Sequence, residues 1–314
     1  MVQRAVVRGG RPLPRSSLTF GDMSESTTRG VQRIIPSHRQ REGGGFVVRR
    51  PLPTAGLDYA DPFLLIDELG PVDYAPGEAV GAPAHPHRGF ETGSYILEGE
   101  VEHEASAAHR GLIGPGGVQW MTAAGGIVHA EMAPRRLLEQ GGRVHGFQIW
   151  VNLPAKLKMS KPRYQELSAV AIPRATSADG LAEVRVVAGD ALGVKGAIGT
   201  HTPIIFQDWA LADGADVTLP IARENGVLAY AFEGSARIGD DGDVIHNGQL
   251  AIFGRGDAVR LRGAPGGGRL LLLGGVPIRE PVARYGPFVM TNKSELLKAF
   301  QDYESGRLAW REPA

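Results

Sequence analysis

Six of the nine histidines in this chain lie between His85 and His145, and their spacing is patterned. His85-Pro86-His87 places two imidazoles two residues apart, and in an extended segment alternate residues project to one face, so both rings point the same way. His129-Ala130-Glu131 repeats that spacing with a carboxylate as its second member. Two extended segments that each offer two ligands on one face can converge on one ion, with three nitrogens and one oxygen around it. The chemistry implied is a mononuclear metal site. Cysteine is absent, which excludes disulfides and thiolate ligation, so a bound ion must accept imidazole and carboxylate. Fe(II) suits such a donor set best, with Mn, Ni, Co, Cu or Zn as alternatives that affinity order alone does not separate.

Alternation carried on from His85 through Gly89, Glu91 and Gly93 puts Glu91 on the imidazole side, so Glu91 and Glu131 compete for the oxygen position. Glu131 is preferred because it sits in the His-x-Glu pair. Residues 145–152 read as a further strand, and from it Gln148 and His145 are candidates for a hydrogen bond to a ligand or substrate. Trp120, Met121 and Phe90 are candidates for an apolar wall. His103 and His109 do not fit the two-residue spacing and read as surface histidines, and Asp67 and Glu68, ending an apolar strand, read as solvated acids.

Longer stretches around these residues carry a likeness. His85-Pro86-His87-Arg88-Gly89-Phe90-Glu91-Thr92, Gln119-Trp120-Met121-Thr122-Ala123 and Gly126-Ile127-Val128-His129-Ala130-Glu131-Met132 resemble the pirin family of the cupin superfamily. The resemblance continues through Phe147-Gln148-Ile149-Trp150-Val151-Asn152-Leu153-Pro154. It returns as Arg279-Glu280-Pro281-Val282 and Gly286-Pro287-Phe288-Val289-Met290, and so spans most of the chain. It implies an all-β fold of two tandem cupin barrels, with the acid after the third histidine, Glu131, as the metal-binding carboxylate. It also implies a tail that crosses back from about residue 286 onto the first barrel. The implied activity is that of a quercetin 2,3-dioxygenase, with a flavonol and O2 as partners. In that scheme the flavonol hydroxyl is bound as its oxyanion, Glu131 takes the proton, and ring opening releases carbon monoxide. The same resemblance implies an alternative: a redox-dependent regulatory protein that binds a transcription factor or metabolic enzyme without turnover.

Composition supports a large β-rich protein. The chain has 314 residues, 42% of them apolar and 22% charged, enough for sizeable cores, and its 44 glycines and 22 prolines favour short strands joined by tight turns. Its 34 basic and 34 acidic residues cancel, so no whole-protein field would hold it to nucleic acid or an anionic membrane. No apolar run approaches a membrane span, and the absence of cysteine suits a reducing cytoplasm.

Organisation follows from punctuation. Residues 1–30 are Arg- and Gly-rich without periodicity and read as a disordered extension, and Met23-Ser24-Glu25-Ser26 suggests that residues 1–22 are a mis-assigned start. The first, metal-binding barrel is expected over 31–175, with residues 70–84 as a loop at the cavity mouth. A second barrel, lacking paired ligands, is expected over 176–314. Tyr230-Ala231-Phe232-Glu233-Gly234 there parallels Tyr95-Ile96-Leu97-Glu98-Gly99, as a duplicated unit would. Leu296, Leu297, Ala299, Phe300 and Tyr303 fall at helical spacing and predict one short terminal helix.

Overall fold

The computed structural model describes residues 27–105 and 109–308. Aromatic and β-branched residues at a period of two build its strands, as in Phe147-Gln148-Ile149-Trp150-Val151. The first domain consists of two antiparallel sheets. One has seven strands in the order Arg163–Leu167, Val118–Thr122, Phe90–Glu98, Gly142–Asn152, Phe63–Tyr74, Phe46–Leu52 and His38–Glu42. The other has four, in the order Ala82–His87, Ile127–Met132, Val101–Ala105 and His109–Ile113. The second domain is a branched nine-stranded sheet around the long strands Gly226–Ile238 and Ala258–Gly275. These ladders do not close on themselves, so the expected closed barrels are β-sandwiches. The loop expected over 70–84 is also shorter than its Gly and Pro content suggested, because the Phe63–Tyr74 strand runs on into it.

The seven-stranded sheet is covered on both faces. Ile66, Tyr95, Phe147 and Ile149 point outward and pack with Phe206, Tyr230, Leu271 and Leu273 in a core shared between the domains. Leu65, Ser94, Ile96, Gln148 and Trp150 alternate with them and line a cavity inside the first domain. Burying each large apolar side chain of the shared core contributes about 1.5–3 kcal/mol.

Each terminus serves the opposite domain. Val31–Pro36 pairs with Gln249–Phe253, Thr28 bridges Ala258, and the buried Arg29 guanidinium donates to the carbonyls of Ala222, Asn225 and Gly254. Residues 27–30, expected within a disordered extension over 1–30, are therefore ordered, and the rest of that expected extension, 1–26, lies outside the described residues. The start of the first domain at residue 31 is corrected as well, because 27–36 cover the edge of the second domain's sheet. In return, the hairpin Ala283–Tyr285 and Phe288–Met290 and the helix Lys293–Glu304 pack on the first domain. There the buried Arg88 pairs with Asp302 at 2.8 Å. Asn292 caps that helix by accepting the Glu295 N–H at 3.0 Å. A further helix, Arg135–Gln140, carries no signal used above. Among the described residues no helix is long and apolar enough to cross a membrane.

Candidate metal centre

The two ligand-bearing segments are neighbouring antiparallel strands of the four-stranded sheet. His129 pairs directly with His85 and Ile127 with His87, so the Ala82–His87 and Ile127–Met132 strands bring three imidazoles together. Ring centroids lie 4.7 Å apart for His85 and His87, 4.4 Å for His85 and His129, and 5.0 Å for His87 and His129. One ring nitrogen from each falls within 4.8 Å of the others, the one such grouping among the described residues.

Backbone carbonyls orient two of the rings. His85 Nδ1 is 2.8 Å from the Pro83 carbonyl, and His87 Nδ1 is 3.4 Å from that of Pro287, on the C-terminal hairpin. An Nδ1–H donated to a carbonyl leaves the Nε2 lone pair free for a metal. Burial, followed by the neighbouring imidazoles, holds His87 well below the ordinary histidine range. The same causes lower His129 to about 3, so both rings are neutral near pH 7. His129 is 2% exposed, and neither of its nitrogens has a hydrogen-bond partner. An unsatisfied buried polar group costs about 1–3 kcal/mol, and a cation held by the three rings would remove that cost. The three histidines therefore fit a metal ion.

Glu131 stands beside this cluster. The register shifts between His129 and Glu131, and the Glu131 Oε1 lies 2.8 Å from the Ser94 hydroxyl. Ser94 is also 2.7 Å from Gln148 Oε1, while the Gln148 amide donates to Thr92 at 2.6 Å. Glu131, Ser94 and Gln148, with the rings of His85 and His87, open onto a cavity of about 720 Å³. Trp150 forms part of its wall, 5.2 Å from the His87 ring and 4.3 Å from Phe90.

Comparison with known proteins places the chain in a family. The pirin profile matches residues 45–151, and the pirin C-terminal cupin domain matches 206–309. A pirin-like protein of Solanum lycopersicum is 39% identical over 284 residues, covering 90% of this chain and 94% of the relative. The chain belongs to the pirin family. Pirin of Homo sapiens is likewise 39% identical over 285 residues, covering 90% of this chain and 94% of that protein. Among solved structures, quercetin 2,3-dioxygenase from Acinetobacter baumannii matches with a TM-score of 0.84 and 34% identity, over 90% of this chain and 99% of that one. The two sandwiches are thus the two cupin domains of a pirin.

Within this pirin fold, several sequence expectations need correction. Glu91 faces away from the histidines. Its buried carboxylate accepts the Thr122 hydroxyl at 2.7 Å and the His201 N–H at 3.1 Å, at the domain boundary. The alternation counted from His85 fails because the chain changes sheets at Arg88-Gly89. A Cβ at Gly89, where φ is +92°, would lie 1.9 Å from the Val289 carbonyl oxygen, so the crossing requires glycine. His145 is also on the outer face, 2.8 Å from Glu68, and Trp120 is plain core shared between the domains. Asp67 and Glu68 are buried instead of solvated. Arg50 grips Asp67 at 2.6 and 2.5 Å, while burial raises that carboxyl above its ordinary range. His103, expected at the surface, is fully buried with its ring 5.8 Å from that of His129. Of the proposed wall, Phe90 lies 5.1 Å from the His87 ring, whereas Met121 packs with Ala105, Ala123 and Ile127.

Ser94, Trp150 and Arg284 join the cavity without having been singled out from sequence. Ser94 and Trp150 share a face with Gln148 and Ile96 by strand alternation, a signal that was available. Arg284 arrives from a tail some two hundred residues away, and nothing local marks it.

Proposed function

We propose that this chain binds one divalent metal ion through His85, His87 and His129, with Glu131 as its carboxylate, and opens the heterocyclic ring of quercetin-type flavonols with O2, releasing carbon monoxide. The observation that carries this reading is the trio of clustered histidines, two of them held neutral, beside Glu131 on a cavity large enough for a planar aromatic. The Acinetobacter baumannii enzyme supports the reaction assigned. Fe(II) is the proposed occupant. Such an ion supplies a Lewis acid that lowers the pKa of a bound hydroxyl and favours reaction with O2.

The protein's own groups do the rest. Glu131 accepts the flavonol proton, and the Ser94 hydroxyl beside it steadies the carboxylate. Gln148, fixed by Thr92 and Ser94, is placed to hydrogen-bond a substrate oxygen. Leu65, Ile96 and Trp150 present an apolar wall that keeps water from the opened ring. The carbonyls of Pro83 and Pro287 fix the tautomers of His85 and His87.

Aerobic turnover of quercetin by Fe(II)-loaded protein, followed by flavonol absorbance and carbon monoxide release, tests the proposal. Turnover that is lost in Glu131→Gln supports it, and iron-loaded protein with no turnover overturns it. One observation favours the regulatory reading: His87 is tied to Pro287, two residues beyond Tyr285, which is 71% exposed. A change at the ion would reach the protein surface by that route. Iron-dependent binding of a protein partner without turnover would select this second reading.

A further inference from the structure

The cavity holds a cation that the chemistry above does not use. Arg284 sits on the C-terminal hairpin and lines the cavity, half-buried, with its guanidinium carbon 4.9 Å from the centre of the Trp150 ring. One nitrogen, Nη1, donates to the Leu64 carbonyl at 2.8 Å. Stacking and that bond fix the planar fork in place, which is how an arginine is prepared for a planar anion.

No carboxylate lies within 4.0 Å of Arg284 among the described residues. The nearest acids are engaged elsewhere: Arg50 holds Asp67 through two bonds and Glu42 at 2.8 Å. Asp67 and Glu42 still attract Arg284 at longer range, but burial and then Arg50 weigh against its charge and lower its pKa. A second, half-buried cation beside an already neutralised pair leaves donors turned to the cavity, open to water or a ligand.

The distances set a scale. Trp150 is in contact with both groups, 5.2 Å from the His87 ring and 4.9 Å from Arg284. The guanidinium is therefore within about 10 Å of the His87 ring, a gap that a two- or three-ring aromatic can bridge.

We propose that, within the flavonol-like planar aromatics assigned above, the cavity favours members that carry a carboxylate, with the ring hydroxyl facing the histidines and the carboxylate bound by the Arg284 fork. This assignment of substrate class rests on the reading of the histidines as a metal site. Arg284 acts as a specificity residue, and the tail that carries it completes the pocket.

The test is equilibrium titration under argon of metal-loaded protein with 3-hydroxyflavone-4′-carboxylate, its 4′-carboxamide and unsubstituted 3-hydroxyflavone, with metal content measured on every sample. A desolvated charge-assisted pair predicts that native protein binds the acid about ten- to hundredfold more tightly than the amide. In Arg284→Gln that ratio should fall to about twofold or less, and Arg284→Lys, which keeps the charge without the fork, should fall between. Equal binding of acid and amide by native protein overturns the proposal, as does a preference that survives in Arg284→Gln. The native comparison and Arg284→Lys decide the matter should the glutamine variant fail to fold. Failure of the metal reading looks different, because 3-hydroxyflavone itself would then bind no better with metal than without.

Discussion

The two cupin domains share one strand register, and what they place in it differs by face. In the first, Phe147 pairs with Glu68 on one side and Tyr95 on the other; in the second, Leu271 pairs with Asp208 and Tyr230. These rows face the domain boundary, where each tyrosine crosses to the other domain's acid. Tyr95 donates to Asp208 at 2.6 Å, and Tyr230 donates to Glu68 at 2.6 Å. The next residue along each strand faces inward, and there the likeness ends. The first domain has Asp67, Gln148 and Ser94 in this row; the second has Gln207, Leu272 and Ala229. The inward row of one copy sets polar groups on an otherwise largely apolar cavity, whereas Ala229 and Leu272 of the other belong to a closed apolar core with Trp209, Leu211 and Val259. One scaffold thus carries the candidate metal site in one copy and a packed core in the other.

The largest test of that division removes a ligand. His129→Ala should abolish stoichiometric metal binding and, since a Lewis acid contributes several kcal/mol, lower turnover by about a thousandfold or more. Leu272→Ala in the second domain should leave metal content unchanged and cost about 2–5 kcal/mol of stability. Elemental analysis beside denaturant unfolding checks both, and metal loss in Leu272→Ala would break the comparison.

A sharper test gives the first domain the second domain's inward row. Ser94→Ala with Gln148→Leu removes the groups beside Glu131 while leaving the three histidines in place. We expect metal to be retained and turnover to fall about ten- to a hundredfold, with stability lowered by about 1–3 kcal/mol because Glu131 and the buried Thr92 hydroxyl each lose a donor. Metal loss in this variant would show that the row holds the ion and not the substrate.

How much of this was legible in the sequence depends on how far apart the partners are. His85, His87 and His129 were readable because each His-x-His or His-x-Glu pair carries its own strand spacing, and the tandem architecture because Tyr95 and Tyr230 head matching segments. Glu91 was misplaced because alternation predicts a face only within one sheet, and Gly89 is where the chain leaves one sheet for the other. Asp67 and Glu68 were misread because their arginines, Arg50 and Arg49, lie on the preceding strand and are invisible to a local pattern. Of the exchange of termini, the returning C-terminal tail was implied by the family resemblance, but the N-terminal half left no trace, since residues 27–36 look like any polar strand until the edge they cover is known.

Tyr95→Phe and Tyr230→Phe probe the face the copies share. Each leaves a buried carboxylate short of one donor: Asp208 keeps Arg269 at 2.7 Å, and Glu68 keeps His145 at 2.8 Å together with Arg49. Both tyrosine hydroxyls are held above their ordinary range by burial and the adjoining acid. Matching losses of about 1–3 kcal/mol are expected from urea unfolding, with metal content unaffected in both. A cost confined to one variant would mean that the reciprocity is geometric without being energetic.

The smallest effect concerns pH. The folded pKa of His129 lies near 3, against an ordinary value of 6.5, and that of His87 is lowered in the same direction. Between those values the unfolded chain binds more protons than the folded one, so the contribution of these rings to metal-free stability is complete above pH 6.5 and declines as pH falls toward 3. Metal binding should respond less. Protons compete poorly for rings whose burial already disfavours the charged form, so metal retention governed by His87 and His129 should stay nearly flat from pH 7 to about 5. Dialysis across that range with elemental analysis measures retention. Melting of the metal-free protein beside His129→Leu isolates the ring's share of the slope, because every other titrating group is common to both. A retention curve that drops at pH 6.5, or slopes that coincide, would show that burial does not set the protonation of this site.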